Sequence, residues 1–267
     1  MIDMTTLTHA ARGASRRQYL ALATDYDGTI AHDDVVDNET LAALTRWRAA
    51  GKKLLLVTGR EFNELVATFP HCNMFDRIVA ENGALLNDPA THAIRILSPS
   101  PPDAFLTALR AKGVPFSVGR SIVATVEPYE HAVLAAIRDL GLEWHVIFNK
   151  GSVMALPANV TKATGLLPAL QELGIDAAQT VGVGDAENDH AFLRLCGLSV
   201  AVDNALPSLK QNVDFVTQGK RGQGVAELIE RLLADELQTD AARLVPNTAL
   251  HIGAPTTTPA ADTPRPR

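Results

Sequence analysis

The residues able to do chemistry in this sequence come in short polar strings. Asp25-Tyr26-Asp27-Gly28-Thr29 sets two carboxylates at i and i+2, and Gly28 allows the sharp bend that turns both toward one pocket. Gly184-Asp185-Ala186-Glu187-Asn188-Asp189 is a second acidic string. Each alone has an ordinary explanation, since Asp, Gly and Thr build turns and Asn188 and Asp189 suit the start of a helix. Together they imply more. If Asp25, Asp27, Asp185 and Asp189 converge, carboxylates about 4 Å apart repel by roughly 4 kcal/mol per pair at an effective dielectric of 20. Such a group calls for a cation, and an all-oxygen donor set suits Mg²⁺. The eight histidines show no paired spacing, and Cys72 and Cys196 have no companion at metal-ligand distance, so zinc is not indicated.

Two further strings suit an anion. Thr58-Gly59 precedes a helix expected from about Glu61, where a hydroxyl and backbone N–H groups would meet a phosphate. Lys162 stands at the head of a helix expected over 163–173.

The elements that must hold these groups are legible in the apolar runs. Tyr19–Thr24, Leu54–Val57, Arg77–Ala80, Thr180–Val183, Leu198–Val202 and Asp214–Thr217 read as strands, apolar almost throughout. Helical patterns separate them: Leu41, Leu44 and Trp47 after an Asp37-Asn38 cap, then Glu61–Phe69, Ala163–Leu173, Glu187–Cys196 and Val225–Leu237. That alternation predicts an α/β fold, a doubly wound and mostly parallel sheet covered on both faces. Polar residues follow five of the strands: Asp25, Asp27 and Thr29; Thr58, Gly59 and Arg60; Glu81 and Asn82; Asp185; Asn204. Ligands bind at that edge of an open parallel sheet.

Residues 87–157 have a different texture. Helices over Asp103–Lys112 and Tyr129–Leu140, with strands over Ser117–Val126, Trp144–Asn149 and Ser152–Leu156, make an inserted α+β cap. Lys150-Gly151 reads as a hairpin turn within it. The core is then 18–86 plus 158–237. Residues 1–17 read as a flexible leader, and 238–267, with five of the fifteen prolines after residue 245, as a disordered tail or linker.

The 267 residues carry a formal charge of −6. The leader and tail regions are +2 and +1, so the body between them holds −9. No basic footprint for nucleic acid is present there, and no apolar run approaches a membrane span. The two cysteines read as free thiols in a reducing, cytoplasmic setting.

The ordered set Asp25-x-Asp27-Gly28-Thr29, Thr58-Gly59-Arg60, Lys162 and Gly184-Asp185-x-x-Asn188-Asp189 resembles the four-motif pattern of the haloacid dehalogenase-like phosphatases. The insert between the second and third motifs, with Glu81-Asn82-Gly83-Ala84, resembles the branch with a C2-type cap, the Cof-like and sucrose-phosphatase-like group. The cap is short for that branch, closer to the caps of phosphoglycolate or sugar-phosphate phosphatases. Ala163 also stands where many members place Gly after the lysine. The resemblance implies a Mg²⁺-dependent hydrolase of small phosphomonoesters. Asp25 would be the nucleophile that forms an aspartyl-phosphate, and Asp27 the acid and base. Asp25, the Asp27 carbonyl and Asp185 would hold the metal, with Asp189 behind them. Thr58, Gly59, Lys162 and Asn188 would bind the phosphoryl group. Glu81, Asn82, Arg60, Arg120 and Lys150 are the candidates for meeting substrate or cap, and His145 could be either a site or a structural residue. The alternatives are a phosphomutase of the same superfamily and a phospho-ligand-binding regulatory domain of a larger protein; the expected partner is a small-molecule phosphate ester, with the chain part of a longer one or a weak oligomer.

Overall fold

Short apolar strands that are buried on both faces have to be covered by helices, and the crossovers that join them make the sheet parallel. In a computed structural model that describes residues 18–237, this is the core's construction. The leader and tail expected at 1–17 and 238–267 lie outside the described residues. In chain order the core begins with β1 (Ala21–Thr24), α1 (Asn38–Ala49), β2 (Lys53–Val57), α2 (Phe62–Thr68) and β3 (Arg77–Ala80). Asp37 caps α1 by accepting the Thr40 N–H at 2.8 Å, and α1 buries Leu44 and Trp47 against the sheet. A hairpin follows, β4 (Leu85–Asp88) antiparallel to β3 and β5 (Ala93–Ile96) antiparallel to β4.

The second layer follows: α3 (Asp103–Ala111), β6 (Ser117–Val118), β7 (Val123–Val126), α4 (Glu130–Asp139), β8 (Trp144–Asn149) and β9 (Ser152–Pro157). Its antiparallel sheet has the order β6-β7-β9-β8 and its own core, in which Phe105, Leu109, Val133 and Ile137 pack on Val123 and Ala155. The chain returns through α5 (Lys162–Leu173), β10 (Thr180–Gly184), α6 (His190–Leu193), β11 (Leu198–Ala201), α7 (Pro207–Lys210), β12 (Phe215–Val216) and α8 (Arg221–Leu233). The large sheet has the order β12-β11-β10-β1-β2-β3-β4-β5, parallel from β12 to β3. Chain order therefore reverses between β1 and β10. That is where an open sheet leaves a crevice.

Four expectations change. Asn87–Pro89 falls inside the β4–β5 hairpin, which belongs to the large sheet, so the separate cap sheet starts only beyond Ile96. The strand expected over Ser117–Val126 is two, because the chain reverses at 119–122 and β6 pairs antiparallel with β7; the Glu81 carboxylate takes the N–H groups of residues 120–122 in that turn. The helix expected over Glu187–Cys196 is a 3₁₀ turn, Glu187–Asp189, followed by the short α6. The Asp189 side chain folds back onto the N–H groups of Asp185 and Ala186, and this shapes that turn. Finally, α8 starts four residues ahead of the expected Val225. Gly222 and Gly224 are inside it, where Thr40 and the Gly219 backbone leave no room for a Cβ.

Candidate active site

β1 and β10 end side by side, and each delivers an aspartate into the crevice between them. Asp25 follows β1 and Asp185 follows β10, both buried. Asp189 returns from the 3₁₀ turn, so that carboxylate oxygens of Asp25, Asp185 and Asp189 lie within 4.8 Å of one another. Burial raises the Asp25 carboxyl well above its ordinary value; Lys162 opposes this, while Asp189, Asp185 and Asp27 add to it. Burial also raises Asp185, against the pull of Lys150.

Lys162, the first residue of α5, answers part of this charge. Its Nζ donates to Asp25 Oδ1 at 2.5 Å and to Asp189 Oδ1 at 2.6 Å. Burial alone would lower this ammonium's pKa, but Asp189 and Asp25 outweigh it and raise the value. Thr161 fixes the entry to α5 with a capping box shared with Thr164. Thr29 bridges the two strand ends, its Oγ1 being 3.0 Å from Asp25 Oδ2 and 3.3 Å from Asp185 Oδ1. Asn204 donates to the Gly28 carbonyl at 2.8 Å and to Asp185 Oδ2 at 3.3 Å. Thr29 and Asn204 were legible only as strand-end residues; their bridging depends on which strands become neighbours.

The donor set fits a hard divalent cation. It is all oxygen, it holds three buried carboxylates against one buried ammonium, and Oδ1 of Asn188, the residue before Asp189, is buried with no hydrogen-bond partner. Within the set Asp189 is the member tied to the backbone, its Oδ2 accepting the N–H groups of Asp185 and Ala186 while its Oδ1 accepts Lys162.

Asp27 stands apart from this cluster. Its carboxylate lines a cavity of about 330 Å³ between core and cap, together with Gly59, Arg60, Lys150, Ser152 and Met154. Arg60 does not reach toward a ligand: it grips Asp27 with two bonds and also pairs with Asp34, over the Tyr26 ring. Thr58 is buried behind the cavity and its Oγ1 accepts the Arg60 N–H at 3.1 Å. The helix beyond it starts at Phe62 and is capped by the Glu61 side chain on the Glu64 N–H, so Thr58-Gly59 is a loop ahead of the helix rather than its first turn.

Glu81 and Asn82 contact the cap and the core. The fully buried Glu81 carboxylate accepts the N–H groups of Arg120 at 2.9 Å, Ser121 at 2.8 Å and Ile122 at 3.2 Å. Asn82 Oδ1 accepts Asn188 Nδ2 at 3.0 Å. Arg120, expected on a strand and reaching inward, is exposed in the loop and meets the core through its backbone. His145 is on β8 with Nε2 buried and unpartnered. Lys150 does reach the site: from the tip of the β8–β9 hairpin its Nζ pairs with Asp185 Oδ2.

The sequence profile of the family described as haloacid dehalogenase-like hydrolase matches residues 22–121 and 143–229. A phosphoglycolate phosphatase from Methanothermobacter thermautotrophicus is 31% identical over 222 residues, which cover 80% of this chain and 98% of the relative. A haloacid dehalogenase-like hydrolase from Bacteroides thetaiotaomicron has the same fold, with a TM-score of 0.70 at 18% identity over 80% of this chain and 100% of its own. A subclass IIB sugar phosphatase is similar too, with a TM-score of 0.64 at 21% identity over 79% and 98% of the two chains. The profile covers most of the chain and the solved structures share its two-sheet fold: the chain belongs to the haloacid dehalogenase-like hydrolases, with an inserted cap of the C2 type.

Proposed function

We propose that this phosphatase hydrolyses small phosphomonoesters with Mg²⁺, through a phosphoryl group carried on Asp25, and that phosphoglycolate-like acids and sugar phosphates are its substrate class. The observation that carries the reading is the buried set Asp25, Lys162, Asp189 and Asp185 at the sheet's switch point. Asp25, Asp185 and the Asp27 backbone carbonyl would hold the metal, with Asp189 behind them. The cation supplies charge neutralisation where the phosphate's negative oxygens collect, which is what phosphoryl transfer chiefly needs.

The chain's own groups do the rest. An Asp25 oxygen attacks phosphorus while the P–O bond to the leaving group breaks, and Asp27 protonates the departing oxygen to give the alcohol. Asp27 then takes a proton from water as that water attacks the aspartyl-phosphate, releasing inorganic phosphate and restoring Asp25. Two Arg60 bonds leave Asp27 further lone pairs for this work. Lys162, Thr58 and Asn188 hold phosphoryl oxygens, and the cap keeps bulk water from the intermediate.

Relatives named phosphoglycolate phosphatase and a cavity of about 330 Å³ support a small substrate. No helix among the described residues is long and apolar enough to cross a membrane. We place the enzyme in the cytoplasm, in keeping with its free Cys72 and Cys196. The test is turnover of p-nitrophenyl phosphate with Mg²⁺ by wild type beside Asp25→Asn. Unaided monoester hydrolysis is so slow that losing the nucleophile should leave no measurable rate. A folded Asp25→Asn protein with undiminished turnover overturns the reading.

A further inference from the structure

Lys150 is the one residue of the cap whose charged end bonds a carboxylate of the core's acidic cluster among the described ion pairs. It sits in the two-residue turn Lys150-Gly151, where both residues have positive φ, 47° and 87°. That is the tight turn a two-residue hairpin demands, so the tip carrying Lys150 is rigid while its side chain is 43% exposed. The other cation lining the cavity between core and cap is Arg60, and its guanidinium is already closed on Asp27 and Asp34. Asp27, Glu61 and Glu64 give the remaining charged lining a negative sign. Among the described ion pairs Lys150 is the lining cation held by a single carboxylate, so an anionic tail on a substrate would find positive charge there.

Resting on the phosphatase reading above, we propose that Lys150 is the specificity-determining residue for a carboxylate on the substrate's far end. Its ammonium exchanges the Asp185 oxygen for that carboxylate when the metal takes Asp185. The exchange conserves charge pairing: Asp185 trades one cation for another, and Lys150 trades one carboxylate for another. It also ties the cap tip to the substrate, so a phosphomonoester with a neutral tail gives the cap nothing to hold. The polar neighbours Ser117, Asn149 and Ser152 can accept hydroxyl groups near the same tip, but none of them offers positive charge.

The experiment compares wild type, Lys150→Met and Lys150→Arg on phosphoglycolate and on p-nitrophenyl phosphate. The readout is the ratio of the two kcat/KM values. Lys150→Met should lower that ratio at least 10-fold, mainly through KM for phosphoglycolate, and Lys150→Arg should restore most of it. Calorimetric titration of Mg²⁺ into the metal-free proteins supplies an activity-independent readout: Lys150→Met should bind Mg²⁺ at least as tightly as wild type, having lost the competing ammonium. An unchanged ratio, or a weaker Mg²⁺ affinity in Lys150→Met, overturns the proposal. If wild type hydrolyses neither ester, the phosphatase reading itself falls; if it hydrolyses both and the ratio ignores residue 150, only the role of Lys150 falls.

Discussion

Arg60 holds Asp27 in a two-pronged ion pair, Nε on Oδ2 at 2.8 Å and Nη2 on Oδ1 at 2.6 Å. A planar guanidinium can do this and an ammonium cannot. In the proposed mechanism the pair fixes the direction of the carboxylate that delivers a proton to the leaving oxygen. Arg60→Lys and Arg60→Met should therefore both lower kcat about 10- to 100-fold, the scale set by misplacing a reacting group by about 1 Å. KM should stay within about threefold, because Arg60 has no charge to spare for the substrate. Steady-state kinetics on p-nitrophenyl phosphate checks this; wild-type kcat in Arg60→Lys would show that orientation by the fork is immaterial.

The Glu81 carboxylate ties the cap to the core through three successive N–H groups and is fully buried. Glu81→Gln keeps the volume but turns one acceptor into a donor facing those N–H groups. Each buried N–H left unpaired costs about 1–3 kcal/mol. The urea midpoint of unfolding should fall accordingly, and proteolytic cleavage within 119–122 should speed up. A variant as stable and as resistant as wild type would mean that the cap is held elsewhere.

Asp25, Asp185 and the strands behind them were readable because a parallel strand buried on both faces is apolar to its end, so the first charged residue marks that end. Lys162 was readable by its place at a helix start. The role of Glu81 was not, since it depends on a loop 39 to 41 residues away in the chain, and nothing local to Glu81 distinguishes a cap anchor from a substrate ligand. The start of α8 was missed for a local reason. Gly222 and Gly224 look like helix breakers, yet their lack of a Cβ is what lets α8 lie against Thr40 and Gly219. The hold of Arg60 on Asp27 and Asp34 was not legible, because Asp34 lies in a turn whose course the apolar pattern does not define.

Metal and pH should act together on stability through Asp185. Burial raises this carboxyl in the folded chain, so above the ordinary value of 3.8 the folded protein keeps a proton that the unfolded chain has shed. Its contribution to the metal-free protein is thus most favourable below that value and is lost as pH climbs through the raised one. Asp185→Asn removes the loss. At pH 8 without Mg²⁺ the variant should melt higher than wild type, by about 2–4 °C for each kcal/mol recovered, and the gap should close near pH 4. Added Mg²⁺ should raise the wild-type Tm and leave the variant's unmoved. Melting curves at the two pH values, with and without Mg²⁺, decide it. A variant that melts below wild type at pH 8 without metal contradicts the argument.

Gly165 sets the depth of α5 and, through it, the position of Lys162. A Cβ on Gly165 would run into the Gly83 backbone and the Val79 side chain. Gly83 meets the same turn of α5 with no side chain of its own: φ is 107°, and a Cβ there would run into the Thr161 carbonyl at the helix N-cap. Two backbones in contact cannot yield as a side chain would, so Gly165→Ala must push α5 outward at its first turn. Overpacking of this kind costs about 1–3 kcal/mol, but the sharper consequence is chemical. Lys162, three residues earlier on the same helix, would leave its 2.5 and 2.6 Å contacts with Asp25 and Asp189. Gly165→Ala should therefore lose at least 10-fold in kcat at a temperature where it remains folded. Leu167→Ala, an exposed position on the same helix, should keep wild-type kcat. Equal rates in the two variants would place the control of Lys162 somewhere other than the Gly83–Gly165 contact.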